Sequence, residues 1–328
     1  MLDASGSATA ADIVLSAVIP VYQAEQVLPE LLVRLTSALD AIDPAHEIIL
    51  VDDRSQDRSW EIILELLPRY PRLTAIRLSR NFGQHHAITA GLDLARGHWT
   101  VLMDCDLQDP PEAIAALYAK AQTGFDIVLA RRVGRQDPWT KRAWSALYHA
   151  TFRLFAGYSL DRSVGAFRIM HRRVVESFCR LREAHRLFGG LVQWVGFSTT
   201  SVDVQHAARP RGQSSYRVWT GIQVALDGVI SFSNRPLYFS VIVGAVIAGL
   251  SGAWGLFILV YFALTRTAAQ GWPSLMAVTA FLGGLVLLNL GVVGLYLGRV
   301  YEQVKGRPLY VIDQMATGRA GDPAGPHA

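Results

Sequence analysis

An α/β fold with a mostly parallel sheet, followed by two membrane-spanning helices, is what this sequence predicts. Three observations lead there. Short apolar runs alternate with helix-like stretches between Ile13 and Ala121. Two much longer apolar runs, free of charged residues, follow Arg235. Acidic and polar clusters stand directly after several of the short runs.

Five short runs read as strands: Ile13 to Ile19, Glu47 to Val51, Leu73 to Leu78, Trp99 to Met103 and Asp126 to Ala130. Between the first four, and before the fifth, lie helix-like stretches at Val27 to Leu39, Ser59 to Leu67, His85 to Ala95 and Pro110 to Ala121. Strand–helix alternation at this spacing implies a parallel sheet covered on both faces. The strands are apolar on both sides, as covered strands should be. Asp109 is placed to cap the fourth helix, with Pro110 at its first position. The sheet is Rossmann-like, but no G-x-G-x-x-G turn or phosphate loop follows its first strand. That excludes the usual dehydrogenase and P-loop ATPase readings.

The apolar runs from about Pro236 to Leu264 and from about Ser274 to Leu297 each exceed the ~20 residues that cross a bilayer as a helix. Buried core helices are the alternative, and their length argues against it. Arg235 flanks one side and Arg299, Lys305 and Arg307 the other, while the short loop Thr265 to Pro273 carries only Arg266. The positive-inside rule then puts both chain ends in the cytoplasm. Tyr238, Tyr261 and Trp272 fall near span ends as aromatic anchors. Gly244, Gly249, Gly252, Gly255, Gly283, Gly284, Gly291 and Gly294 are expected to let the two helices pack closely. Val218 to Phe232 reads as a helix along the membrane surface. Trp139 to Phe155, with five aromatic and three basic residues, fits an interfacial helix or a core helix equally.

Hydrophobic residues make up 51% of the chain and its mean hydropathy is +0.24, an excess that sits almost wholly after residue 235. The net charge of +4 suits phosphates or an anionic membrane; no motif supports a nucleic acid. Cys105 and Cys179 stand alone, which excludes a disulfide framework and structural zinc and points to a reducing compartment. The polar residues up to about Asp12 contain no apolar signal-peptide core, so the N-terminal domain is expected on the cytoplasmic side.

Ligands of open α/β sheets bind at the carboxyl ends of the strands. Asp104-Cys105-Asp106-Leu107-Gln108 follows the fourth strand there. Two carboxylates two residues apart can share a crevice if the chain turns, and such oxygen donors suit Mg²⁺ or Mn²⁺. The metal would discharge a departing diphosphate. Asp53, at the end of the second strand, can accept hydrogen bonds from a base or ribose; Asp57 reads first as a helix cap. Arg131-Arg132-Val133-Gly134-Arg135 follows the fifth strand and suits phosphates. A basic loop, Arg209 to Arg217, is placed to hold a phosphate at the membrane plane or to close as a lid.

Taken together, four segments resemble glycosyltransferase family 2, within it the polyprenyl-phosphate glycosyltransferases. They are SAVIPVYQAEQVLPELL, ILVDDRSQDRSWEII, LSRNFGQHHAITAGLDLARGHWTVLMDCDLQDPPE and RPRGQSSYR. The resemblance covers roughly residues 14 to 312 and implies a GT-A catalytic domain at 13–210. A basic loop and interfacial helix follow at 211–235, a two-helix transmembrane hairpin at 236–299 and a cytoplasmic tail at 300–328. Residues 1–12 and the chain after Gln314 are expected to be disordered. By resemblance, Pro20, Tyr22, Glu25 and Asp53 hold the nucleoside, and Asp104, Asp106 and Gln108 hold the metal and diphosphate. Arg131, Arg135, Arg211, Ser214 and Tyr216 handle phosphates, with Asp104, Asp106 and Arg131 closest to the chemistry. The implied reaction is inverting transfer from a nucleotide-sugar, a UDP-hexose first, to undecaprenyl phosphate at the inner membrane. An aminoarabinose-type donor or GDP-mannose is the alternative, and a silent scaffold with the same fold is the non-catalytic one. A processive polysaccharide synthase would need more spans and a Gln-x-x-Arg-Trp motif, which LVQWVGF lacks. The resemblance also points to an oligomer in the membrane. Two positions depart from the pattern. Ala166 stands where many relatives carry Asp, and Ser215 where many carry Lys. A lipid phosphate is already ionised, so a general base is dispensable for its attack. Arg211 or Arg217 can replace the missing lysine charge.

Overall fold

The computed structural model describes residues 13–133, 164–186, 188–205, 235–265 and 271–318. Residues 235–306 form one compact unit, and the other described residues, Arg307 onward included, form a second.

The second unit is built on one eight-stranded sheet. Its parallel half is β1 (Leu15–Val21), β2 (His46–Asp52), β3 (Leu73–Leu78) and β4 (Trp99–Leu102). Every residue of β1 and β2 is buried, which is why these strands read as unbroken apolar runs. Three helices connect them: α1 (Leu28–Asp40), α2 (Ser59–Leu66) and α3 (Gln84–Leu94). Leu28, Leu31, Leu32, Leu35 and Leu39 form the buried stripe of α1, at about 1.5–3 kcal/mol for each side chain removed from water. Helix α3 lies so close to β1 that a Cβ at Gly91 would stand 2.4 Å from Val18 Cγ1. That packing seats the later turns of α3 directly on β1 and β2.

A 3-10 turn at Pro111–Ala113 leads into α4 (Ile114–Ala121), and β5 (Ile127–Val133) follows. Asp109 does not cap this helix. It lies outside the 3-10 turn and faces Arg132 instead. Four elements here are not announced by the sequence pattern: β6 (Val164–His171), α5 (Arg172–Arg180), α6 (Phe188–Trp194) and β7 (Thr199–Gln205). Strand β6 runs antiparallel between β4 and β5, and β7 lies parallel to β5 at the edge.

The tail holds a second correction. Met315, Ala316 and Thr317 are not disordered; with Ile312 they form β8 (Ile312–Thr317), antiparallel to β3 at the other edge. Trp60 donates to Gln314 at 2.8 Å and Tyr310 to Asp93 at 2.7 Å, so the tail gains side-chain anchors as well as ladder bonds.

The other unit contains α7 (Arg235–Thr265) and α8 (Trp272–Val304). Leu237–Ile258 and Phe281–Val304 within them are long and apolar enough to cross a membrane, and neither is buried in protein. The expected role of the glycines is not seen. A Cβ added at any of the eight would meet nothing within 4 Å, because these glycines face open space rather than the partner helix. The readings of Trp139 to Phe155, of Val218 to Phe232, of Arg266 and of residues 1–12 lie outside the described residues.

Candidate active site

Parallel pairing aligns the strand ends that make the rim. Val21 stands opposite Asp52, and Val18 opposite Leu102. Three non-glycine residues adopt left-handed backbone: Gln23 (φ 52°), Arg54 (φ 56°) and Leu107 (φ 55°). They follow β1, β2 and β4 respectively. Such conformations cost roughly 1–2 kcal/mol each and gather where a site needs them. Here they turn the polar segment after each strand across the rim.

The turn at Leu107 brings Asp104, Asp106 and Asp109 together. Asp104 Oδ1 accepts from Gln84 Nε2 at 2.7 Å, so the first turn of α3 reaches the acidic corner. Asp106 Oδ1 accepts from the Gln108 backbone N–H at 3.1 Å. Asp109 is buried and accepts two bonds from Arg132, at 3.2 and 2.8 Å. Burial, with the charges of Asp106 and Asp109, pushes the Asp104 carboxyl up to about 6, while Arg132 and Arg168 act the other way. Carboxylates raising one another's proton affinity are what a divalent cation relieves, and all-oxygen donors match Mg²⁺ or Mn²⁺. Among the described residues no cluster of three His, Cys, Asp or Glu is arranged to enclose an ion. What Asp104 and Asp106 offer is a pair of neighbouring oxygen donors, the kind a hard cation takes.

At the end of β2 the geometry assigns several acidic residues to holding loops. Asp53 is buried; its two oxygens accept from Phe82 N at 2.7 Å and Gly83 N at 2.8 Å. Burial raises its proton affinity against those two bonds. Each oxygen keeps a second lone pair for a ligand. Asp57 accepts from the N–H of Ser59, the first residue of α2, as a capping group would, and from Glu25 N. Glu25 in turn accepts from Arg58 N at 3.0 Å. Pro20 lies within β1, and Tyr22, just beyond it, is 44% exposed at the rim.

The two arginines of β5 take different partners. Arg131 Nε bonds Asp203 of the neighbouring β7, at an exposed position. Successive residues of a strand point to opposite faces, and it is Arg132 that meets the acidic corner. Arg168 of β6 was missed altogether. It is buried, donates to the carbonyls of Ala166 at 3.0 Å and Gly165 at 2.8 Å, and acts electrostatically on Asp104. A basic residue inside an apolar strand was the available signal. Arg135, Arg211, Ser214, Ser215 and Tyr216 lie outside the described residues.

Comparison with known proteins identifies the family. The pattern of the glycosyl transferase family 2 domain matches residues 16–178. An uncharacterized glycosyltransferase of Synechocystis is 38% identical over 92% of this chain and 95% of its own length. A prophage-derived bactoprenol glucosyl transferase of Shigella flexneri is 34% identical, covering 93% of this chain and 99% of the relative. The undecaprenyl-phosphate 4-deoxy-4-formamido-L-arabinose transferase of Aeromonas hydrophila is also 34% identical, over 92% of this chain and 93% of that protein.

Proposed function

This chain belongs to glycosyl transferase family 2, and from that premise we propose that it transfers a hexose from a UDP-sugar to undecaprenyl phosphate. The observation that carries the reading is the acidic corner at a rim, in a chain that also has two helices fit for a bilayer. The Shigella relative, a bactoprenol glucosyl transferase by name, supports a lipid acceptor.

Asp104 and Asp106, with Gln108 beside them, would hold Mg²⁺ or Mn²⁺. When bound, the ion supplies positive charge to the departing diphosphate. Gln84 orients Asp104, and Arg132 holds Asp109 in place beside it. Pro20, Tyr22, Glu25 and Asp53 line the strand ends proposed for the nucleoside. Arg211, Ser214, Tyr216 and Arg135 are proposed for the acceptor phosphate, and Arg132 is better oriented than Arg131 to serve the donor's. The acceptor oxygen attacks the anomeric carbon as the bond to the diphosphate breaks, and the diphosphate leaves with the electron pair. No proton need be removed from an ionised phosphate, so Ala166 is compatible with the reaction. The protein's task is to bring two anions together and neutralise the leaving group. We place the hairpin across the inner membrane and the sheet on its cytoplasmic side.

A second reading, an aminoarabinose-type donor, is favoured by Ala166 and by the Aeromonas relative. A donor panel assayed against undecaprenyl phosphate decides between them. UDP-glucose should give lipid-dependent UDP release and a lipid-phosphate monosaccharide identified by mass. Release with no donor in the panel would overturn the reading. Arg211→Ala should raise the acceptor KM far more than it alters UDP affinity.

A further inference from the structure

Two buried arginines flank an aromatic pair, and they differ in how their Nε–Nη2 edges are engaged. Phe178 and Phe188 meet edge-to-face with centroids 5.0 Å apart. Arg168 lies over Phe188 at 4.9 Å, and its Nε and Nη2 both reach carbonyls. Arg186 lies over Phe178 at 4.6 Å and is only 6% exposed. Its Nη1 bonds the Leu181 carbonyl. Its Nε and Nη2 are buried and, among the described residues, have no partner. Arg132 and Arg96 each engage a carboxylate directly, and Arg77 lies 3.1 Å from one. Glu183 and Asp93 act on Arg186 only through space.

The two orphan donors share one edge of the guanidinium. Their parallel N–H bonds match two oxygens of one carboxylate or phosphate. A buried cation with that edge unmade is costly, and an anionic ligand relieves the charge and the missing bonds together. Its location ties it to the active site. The backbone at Phe82 and at Ala184 both act on the His86 imidazole, so the segment before Arg186 lies close to the loop held by Asp53. Gln84 of the same turn reaches Asp104. Between them, His85 keeps a buried Nδ1 without a partner, and burial drives its proton affinity down, to about 4. It is a neutral group beside the cation, able to donate or accept.

We propose that the Nε–Nη2 edge of Arg186 binds two oxygens of a substrate phosphoryl group. The inference rests on the proposed reaction for the identity of that phosphate, which is either the donor's diphosphate or the acceptor's phosphomonoester. A charged group is preferred over sugar hydroxyls because, among the described residues, no carboxylate contacts this cation.

The test uses the full chain in detergent, as wild type, Arg186→Lys and Arg186→Gln. Inorganic phosphate and pyrophosphate, without metal, should raise the Tm of wild type but not of either variant. Lysine keeps the charge and loses the fork, so either UDP affinity or the KM for undecaprenyl phosphate should weaken about tenfold or more. A loss in UDP affinity assigns the donor; a loss in acceptor KM assigns the lipid. If Arg186→Gln does not fold, the lysine variant decides alone. Unchanged phosphate protection, UDP affinity and acceptor KM in the variants would overturn the inference and leave the reaction standing. Arg186-dependent protection in a chain that transfers no sugar would support this site and overturn the reaction.

Discussion

In the sheet, Val18, Ile19, Leu50 and Val51 are wholly enclosed; in α7 and α8, Leu250, Leu256, Leu287 and Leu288 are each more than 60% exposed. The same kinds of side chain are satisfied by protein in one region and left bare in the other. Water would penalise the second arrangement heavily, and hydrocarbon would not. The difference also separates polar chemistry from anchoring. Described carboxylates cluster at the strand ends, whereas the two apolar windows present a nearly uncharged surface.

Substitutions can break that division. The largest effect is expected from Asp106→Ala. Turnover should fall by about 10²–10³-fold, while the fraction recovered with membranes stays at the wild-type level. Loss of membrane recovery in this variant would mean that the two regions are not independent. Phe167→Ala, at a fully buried position of β6, should cost about 3–5 kcal/mol in denaturant unfolding. Leu288→Arg sharpens the contrast from the other side. On a water-facing helix it would be almost silent. In a bilayer it should cost about 2.5–3.5 kcal/mol of insertion, read as a shift from the membrane to the soluble fraction.

The smallest effect is a pH dependence. The Asp104 carboxyl lies at about 6 against an ordinary value of 3.8. Between those values the folded chain holds a proton that the unfolded chain has released. Stability from this group therefore falls as pH rises through that window and is lowest above about 6. In EDTA, Asp104→Asn should have a higher Tm than wild type at pH 7, and the gap should close toward pH 4. A lower Tm for the variant at pH 7 would show that the carboxylate is already compensated.

The same contrast explains what could be read from sequence. The parallel half of the sheet was legible because fully covered strands leave long apolar runs. Strand β7 (TTSVDVQ) is a mostly exposed edge and carries no such signal. Strand β8 is polar, and its partner β3 lies more than 200 residues earlier, so no local pattern announces the pairing. Strand β6 was hidden by Arg168, a charge whose burial depends on the carbonyls of its own strand. That Asp104 and Asp106 stand close to one another was legible in their spacing and their place after a strand. Choosing Arg132 over Arg131 required knowing that β5 continues to Val133, which fixes the alternation. Gln84 was not legible, since the carboxylate that gives it meaning, Asp104, comes from a different strand end.

The proposed reaction needs a divalent cation and a lipid phosphate together. The most direct measurement is UDP release from UDP-glucose by the wild-type chain, stripped with EDTA, reconstituted with undecaprenyl phosphate and titrated with Mn²⁺. Release should require both components and vanish when either is withheld. A full rate in EDTA, or one indifferent to the lipid, would contradict it.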